Sequence, residues 1–283
     1  MLPVLESIAE TGRDPAFAGK TVVVTGATSG LGARIARGVA ERGGEVVAVG
    51  RRADALGALA AEWPDSVTGV TTDVTVAADV ERLAHEVAER GAAQLVLVNA
   101  AGVFGPIAPL VDGDPAAWIQ TLMTNAVGPY LMCRALAPIM TRAGWGRIVN
   151  VTSAASLHPP GPLNSAYGTS KVALNQMTRH LAAELAGTGV TANVLHPGDV
   201  KTEMWSDIRR QAVAAGPMAE PFVAWTDWVE ETGGDAPDKA LERIAAHVAS
   251  PTPETGQFLW IEDPLQSPIP SWETAEDEQP WLT

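Results

Sequence analysis

The chain has one cysteine, Cys133, among its 283 residues. A lone thiol cannot close an internal disulfide, so a reducing cytoplasm is the expected location. Basic residues are also scarce: 19 Lys and Arg stand against 33 Asp and Glu, for a net charge of −14. That balance disfavours nucleic acid and anionic membrane surfaces as partners. No apolar run reaches the roughly 18 residues that a membrane span needs. The opening Met1-Leu2-Pro3-Val4-Leu5-Glu6 lacks the basic stretch and apolar core of a signal peptide. Aromatic side chains are few apart from nine Trp. His85, His180, His196 and His247 have no partners at metal-ligand spacing, so no metal is expected.

What the chain does have is apolar residues, 46% of the total, enough for one large domain with an extensive core. They fall into short runs that alternate between two periods. Strands are predicted at Thr21–Thr25, Val46–Val49, Val67–Thr72, Leu95–Val98, Arg147–Thr152, Thr191–Leu195 and Gln257–Ile261. Helices are predicted after the first strand, with Leu31, Ile35, Val39 and Ala40 on one face and an end at Gly43-Gly44, and over Leu56–Trp63, Ala77–Arg90, Ser165–Ala186 and Asp238–Val248. Pro115–Thr141 reads as two helices, separated or broken near Asn125. This alternation predicts an α/β fold: a doubly wound parallel sheet with helices on both faces and a ligand along the carboxyl edge of the strands. Residues 1–19 read as an extension with a short amphipathic piece near Leu2–Ile8. Residues 20–262 form the domain, and 263–283 an acidic, proline-rich tail. Residues 199–235, rich in Trp, Met and Pro, have no clean strand period and read as a mobile segment over the site.

Three stretches carry chemistry. Gly26-Ala27-Thr28-Ser29-Gly30-Leu31-Gly32 lies between the first strand and the first helix. Its glycines let the backbone turn tightly and approach a pyrophosphate, while the helix start offers N–H donors. The other reading is an ordinary Gly-rich turn. At the end of the second strand Gly50 occupies the place where NAD sites usually carry a carboxylate, and Arg51-Arg52 follow. Two guanidiniums can pair with a 2′-phosphate, which favours NADP(H) over NAD(H), although the pair could also be a solvated surface. Asp73-Val74 ends the third strand, where the carboxylate can accept from an adenine amino group or cap the next helix. Third, Tyr167 and Lys171 lie four residues apart, on one face of a helix. A free phenol titrates near pH 10. A fixed ammonium beside it pulls that value down, which makes the pair a candidate acid/base. By spacing alone such a pair also arises by chance.

In this order and spacing, the motifs are identified with the short-chain dehydrogenase/reductase family, in its main branch, with a Rossmann-like fold. The resemblance rests on Thr25-Gly26-x3-Gly30-x-Gly32, Asp73, Asn99-Ala100-Ala101-Gly102, Asn125, Ser153, Tyr167-x3-Lys171 and Pro197-Gly198-x-Val200-x-Thr202. It covers residues 20–200 closely and 236–262 loosely. It implies that Tyr167 exchanges the proton with the substrate oxygen and that Ser153 donates a hydrogen bond to that oxygen. It implies that Lys171 lowers the phenol's pKa and holds the nicotinamide ribose, and that Asn125 holds a water leading to solvent. Asn99, Ala100 and Gly102 are expected on the adenosine side, and Pro197, Gly198, Val200 and Thr202 near the nicotinamide. Ser156 is a rival to Ser153, and His158 a loop residue within possible reach of substrate. Glu262-Asp263-Pro264 replaces the family's usual Asp-Gly-Gly. The resemblance also implies a homodimer or homotetramer built on the helices carrying Tyr167 and Cys133.

The activity implied is reduction of a ketone or aldehyde with NADPH, or the reverse. The alternatives are an NAD-dependent alcohol dehydrogenase or tailoring enzyme on the same fold, and a non-catalytic nucleotide-binding protein. Met204, Trp205, Met218, Phe222, Trp225, Trp228 and Phe104 offer either an apolar wall for a small-molecule carbonyl or alcohol substrate or a small core of the lid's own. Cys133 is expected in the core.

Overall fold

The computed structural model describes residues 14–158 and 160–262. Seven parallel strands form one sheet in the order β3-β2-β1-β4-β5-β6-β7. They are β1 (Thr21–Thr25), β2 (Glu45–Gly50), β3 (Val67–Thr71), β4 (Leu95–Asn99), β5 (Gly146–Val151), β6 (Val190–His196) and β7 (Phe258–Trp260). Val22, Val23, Val24, Val96, Leu97 and Val98 are fully buried, as strands covered on both faces must be.

Among the described residues, nine α-helices run between or beside the strands. The helices α1 (Gly30–Glu41) and α2 (Ala53–Glu62) follow β1 and β2. Next come α3 (Ala77–Glu89), α4 (Pro115–Leu122), α5 (Gly128–Ala143) and α6 (Ser165–Glu184). The last three are α7 (Glu203–Ala215), α8 (Glu220–Thr232) and α9 (Asp238–Ala249). One apolar cluster joins α1, α2 and α9 to one sheet face, through Ile35, Val39, Leu56, Leu241 and Ile244. A second joins α3 and α5 to the other, through Leu83, Met132, Leu136 and Met140. None of the helices among the described residues is long and apolar enough to cross a membrane.

Two expectations change. The last residues of the supposed extension belong to the fold: Phe17 is fully buried in the first cluster, and Asp14 N–H donates to Arg42 O at 2.9 Å. The amphipathic piece near Leu2–Ile8 and the tail 263–283 lie outside the described residues. Second, the segment 199–235 is two helices, α7 and α8, joined by a 3₁₀ turn at Gly216–Ala219. Its apolar residues recur at helical rather than strand spacing, and Pro217 and Pro221 each sit at a helix start, where a missing N–H costs nothing.

The ends of β1, β4 and β5 are in register, Thr25 beside Asn99 and Asn99 beside Asn150. Thr25 Oγ1 accepts from the N–H groups of Ala100 and Ala101, both at 3.1 Å, and so ties the loop after β4 to the loop after β1. Thr25→Val keeps the side-chain shape and strands both donors. We expect a loss of about 1–3 kcal/mol for each group that finds no water, read as a lower urea midpoint.

Candidate active site

The carboxyl edge of the sheet opens into one cavity of about 1110 Å³. Its floor comes from the loops after β1, β2, β3, β4, β5 and β6, and its roof from α7 and α8.

The nucleotide half is built from glycines. Gly26 has φ +70°, and a Cβ there would stand 2.8 Å from Ala101 Cα. A Cβ on Gly32 would stand 2.4 Å from Gly26 O. Helix α1 therefore starts hard against the β1 turn. Ser29, its N-cap, makes no side-chain cap bond, and its first turn holds no acidic residue. The N–H groups of that turn face the cavity rim formed by Thr28, Ser29, Gly30, Leu31 and Gly32. This is a cradle for an anionic phosphate. Gly50 also has a packing reason to be glycine, because a Cβ there would meet Thr28 Cγ2 at 2.7 Å. Arg52 donates to Thr28 O at 3.1 Å and to Thr28 Oγ1 at 3.3 Å, with Glu203 3.8 Å away. Arg51, Arg52, Asp73 and Val74 all line this half. Asp73 Oδ1 accepts from the N–H and hydroxyl of Thr75, at 2.9 and 2.7 Å, so the carboxylate shapes its own turn as well as facing the cavity.

The reacting half lies beyond Gly102, where a Cβ would approach Asn125 Oδ1 and Lys171 Nζ at 3.4 and 3.9 Å. Ser153, just past the end of β5, hydrogen-bonds through its side chain with Tyr167 on α6. Tyr167 keeps exposure only toward the cavity, and its ring stacks on Phe104 with centroids 4.6 Å apart. Lys171 is 4% exposed; its Nζ donates to Val151 O at 2.9 Å and stands 5.5 Å from the centre of the Tyr167 ring. Ser156 faces away from the cavity, donating to Ser153 O at 2.6 Å and accepting from Asn175 at 2.8 Å. It is a brace for Ser153, and His158 does not line the cavity.

Electrostatics depart from the simplest expectation for the pair. Burial pushes the Tyr167 phenol up to about 12; the Ser153 bond works against this rise and the nearby Asp199 charge adds to it. Burial pushes the Lys171 ammonium down to about 8. Enclosure, rather than the ammonium, dominates the phenol here. The phenol is consequently held protonated at neutral pH.

Two sequence-selected residues stand behind the cavity lining. Asn99 does not face the cavity; its amide donates to Asn150 Oδ1 at 2.8 Å, beside the buried Cys133. It is a rung between β4 and β5. Asn125 does not line the cavity either. It sits in a π-helical turn, Met123–Val127, between α4 and α5, so the expected helix break is present. Its amide donates to Val103 O at 2.8 Å and Ser170 Oγ at 3.0 Å, and its carbonyl accepts from Val103 N at 2.9 Å. It locks the loop after β4 to the helix bearing Tyr167 and Lys171.

Pro197, Gly198, Val200 and Thr202 line the cavity, and Thr202 is the N-cap residue of α7. Met204, Phe222 and Trp225 pack with Phe104 and Tyr167 while also facing the cavity, so wall and lid core are one cluster. Trp205 lines the cavity from α7. Met218 and Trp228 point outward, 58% and 43% exposed. Sequence reasoning passed over Asp199, Gln211 and His196, all in the cavity lining. Gln211 on α7 accepts from Ile107 N at 3.1 Å and donates to Gly105 O at 3.3 Å, which closes the roof onto the β4 loop. His196, at the end of β6, accepts from Ala154 N at 3.3 Å, and burial holds it down to about 4. No motif marked them; only their place beside strand ends could have.

Lys171 gives a pH test. Its folded pKa lies below the unfolded value near 10.5, so above about pH 8 the unfolded chain holds more protons. The wild type should therefore gain stability as pH rises from about 8 toward 10.5, where that contribution is complete. Lys171→Met should be more stable than wild type at pH 7, and its advantage should shrink over that window. Urea midpoints of both proteins from pH 7 to 10 measure the difference, which cancels the other lysines.

A family model for short chain dehydrogenases matches residues 20–213. Galactitol 2-dehydrogenase (L-tagatose-forming) of Cereibacter sphaeroides is 35% identical over 248 residues, covering 86% of this chain and 94% of that one. A short chain dehydrogenase of Monascus ruber, pigC, is 34% identical over 197 residues; the match spans 66% of this chain and 65% of the relative. Among solved structures, an actinorhodin polyketide ketoreductase with NADPH superposes with a TM-score of 0.74 at 30% identity, covering 85% of this chain and 95% of that one. The seven-stranded parallel sheet, the glycine cradle and the matched stretch agree: the chain belongs to the short-chain dehydrogenase family of oxidoreductases.

Proposed function

We propose that the protein reduces a ketone or aldehyde to an alcohol with NADPH, and catalyses the reverse when the alcohol is supplied. The observation that carries this is the pairing of two hydroxyls, Ser153 and Tyr167, at the cavity wall, with Lys171 enclosed behind them. A carbonyl oxygen placed between the two hydroxyls would accept from both. Ser153 stabilises negative charge as it develops there, and Tyr167, held in its protonated form, gives that oxygen its proton. Lys171 spends one N–H on Val151 O and keeps two for the ribose hydroxyls of a nicotinamide nucleotide. When bound, that cofactor supplies the hydride. Asn125 supports the site by holding the backbone of Val103 and the start of α6 together.

The preference for NADP(H) rests on Gly50 followed by Arg51 and Arg52, with Arg52 anchored by Thr28 at the cavity edge. One observation favours NAD(H) as the second reading: Glu203 stands 3.8 Å from Arg52 and is itself an acceptor for ribose hydroxyls. The apolar lining of Phe104, Met204, Ile208, Phe222 and Trp225 suits a substrate with an apolar body. We also propose assembly into a homodimer or homotetramer through α5 and α6, where Tyr130 and Val172 are 48% and 51% exposed. The expected compartment is the cytoplasm.

Tyr167→Phe should lower turnover by about 10²–10⁴ and leave NADPH binding intact, as read by NADPH oxidation and by cofactor fluorescence. Retention of more than about a tenth of the activity would rule out the proton-transfer role. Titration of NADPH and NADH into wild type and Arg52→Ala tests the cofactor reading. NADPH should bind more tightly to wild type, and the variant should lose that preference by roughly tenfold, the equivalent of about 1.4 kcal/mol. Equal affinities in wild type would favour the Glu203 reading.

A further inference from the structure

The reacting half of the cavity is not uniformly apolar. Asp199, the residue after Pro197-Gly198, lines it together with Ser153 and Tyr167. Its backbone is clamped on both sides. Its N–H donates to Asp235 Oδ2 at 2.9 Å, and its carbonyl accepts from Asp235 N at 3.0 Å. Gly198, at φ +82°, lies so close that a Cβ there would meet Asp235 Oδ2 at 2.4 Å and Ile261 Cδ1 at 2.5 Å. A Cβ on Gly234 would stand 2.3 Å from Asp199 O. With the main chain fixed in this way, the carboxylate is held at the cavity wall. The partner it has there is the side chain of Trp225 on α8. An indole N–H satisfies one lone pair and neutralises no charge. Burial raises the Asp199 pKa, with the Asp235 charge adding to the rise, and the Asp199 charge in turn adds to the rise at Tyr167.

A carboxylate in an apolar, partly enclosed wall is costly unless its remaining lone pairs are used. The Asp235 clamp holds its main chain there all the same. A carboxylate in the same cavity wall as the proton donor is placed to meet a polar substituent near the carbonyl carbon. We propose that Asp199 is the specificity-determining residue of this site: its carboxylate, lining the cavity beside Ser153 and Tyr167, accepts a hydrogen bond from a hydroxyl on the carbon next to the reacting carbonyl. The substrate class is then an α-hydroxy ketone or aldehyde with an apolar remainder, and the product a vicinal diol. This rests on the reductase reading above and narrows it. The balance is that of a carbonyl reduction: the hydride of the reduced nicotinamide goes to carbon, the Tyr167 proton goes to oxygen, and the α-hydroxyl, as donor to Asp199, is unchanged.

Two measurements test it. The first compares kcat/KM for 1-hydroxy-2-butanone and 2-butanone in wild type, Asp199→Asn and Asp199→Leu. A hydrogen bond to a charged group should favour the hydroxy ketone by roughly 10- to 100-fold in wild type, and Asp199→Leu should erase that ratio. Asp199→Asn, which keeps an acceptor, should retain part of it. A carboxylate that serves only to hold α8 through Trp225 would lower both substrates together and leave the ratio unmoved, which overturns the proposal. The second measurement needs no turnover. Butane-1,2-diol and butan-2-ol are titrated into the NADPH complex, which has no oxidant for them, with Trp fluorescence as readout. Wild type should bind the diol more tightly, and Asp199→Leu should bind the two alike. Equal binding in wild type overturns the proposal. So does tighter binding of 1-aminobutan-2-ol than of the diol, which would make the recognised donor an ammonium. Failure of the reductase reading shows elsewhere, as Tyr167→Phe retaining its turnover, so the two failures are distinct.

Discussion

Everything at this site depends on how closely the loops after β1 and β4 approach each other. Gly26 comes so near Ala101 that a single added carbon would stand 2.8 Å from its Cα, and Thr25 Oγ1 holds the N–H groups of Ala100 and Ala101. Neighbouring parallel strands whose connections leave on opposite faces create a crevice at this point. The contact decides where the crevice begins. On one side lie the bare backbone of Gly26 and the start of α1, which leave room for phosphate. On the other lies Gly102, whose missing side chain leaves room between Asn125, Lys171 and Met204. Both halves of the cavity therefore hang from one contact that tolerates no Cβ.

The same constraint explains why polar groups are buried under the catalytic helix. The inner face of α6 carries Ser170, Lys171, Asn175 and Thr178, an unusual choice for a helix packed on a sheet. Each has a partner: Ser170 in Asn125 and Tyr167 O, Lys171 in Val151 O, Asn175 in Thr152 and Ser156, and Thr178 in Asn150 and Leu174 O. A network of this kind fixes the rotation of the helix, because any slip would strand several groups at once. The rotation in turn fixes where the Tyr167 hydroxyl meets Ser153. Burial that positions the pair also suppresses both charges, so position and proton affinity have one cause.

The strand pattern, the glycine cradle and the Ser153, Tyr167 and Lys171 set were legible in the sequence because each has a local signature. Apolar runs mark strands, glycine spacing marks a tight βα turn, and a four-residue interval marks a helix face. Asn99 and Asn125 were legible as important, but their side-chain partners were not, since a motif tells that a side chain matters but not which way it points. Asn99 points across the sheet to Asn150, and that follows only from the strand register. The helical roof was illegible for a different reason. Its Trp, Met and Phe serve both its own packing and the cavity wall, so the two roles could not be separated from sequence alone.

Asp199 shows what such a reading misses most readily. In sequence it is one of 33 acidic residues in a chain of net charge −14, with nothing to set it apart. Its neighbours in space come from Tyr167 on α6, Trp225 on α8 and Asp235 just before α9, between 26 and 36 residues away along the chain. Chemistry assembled over such separations leaves no spacing to detect. The Pro197-Gly198 turn and Asp235 fix the main chain there, so the residue stays in the cavity wall. A charge placed in that wall is best understood through what enters the cavity.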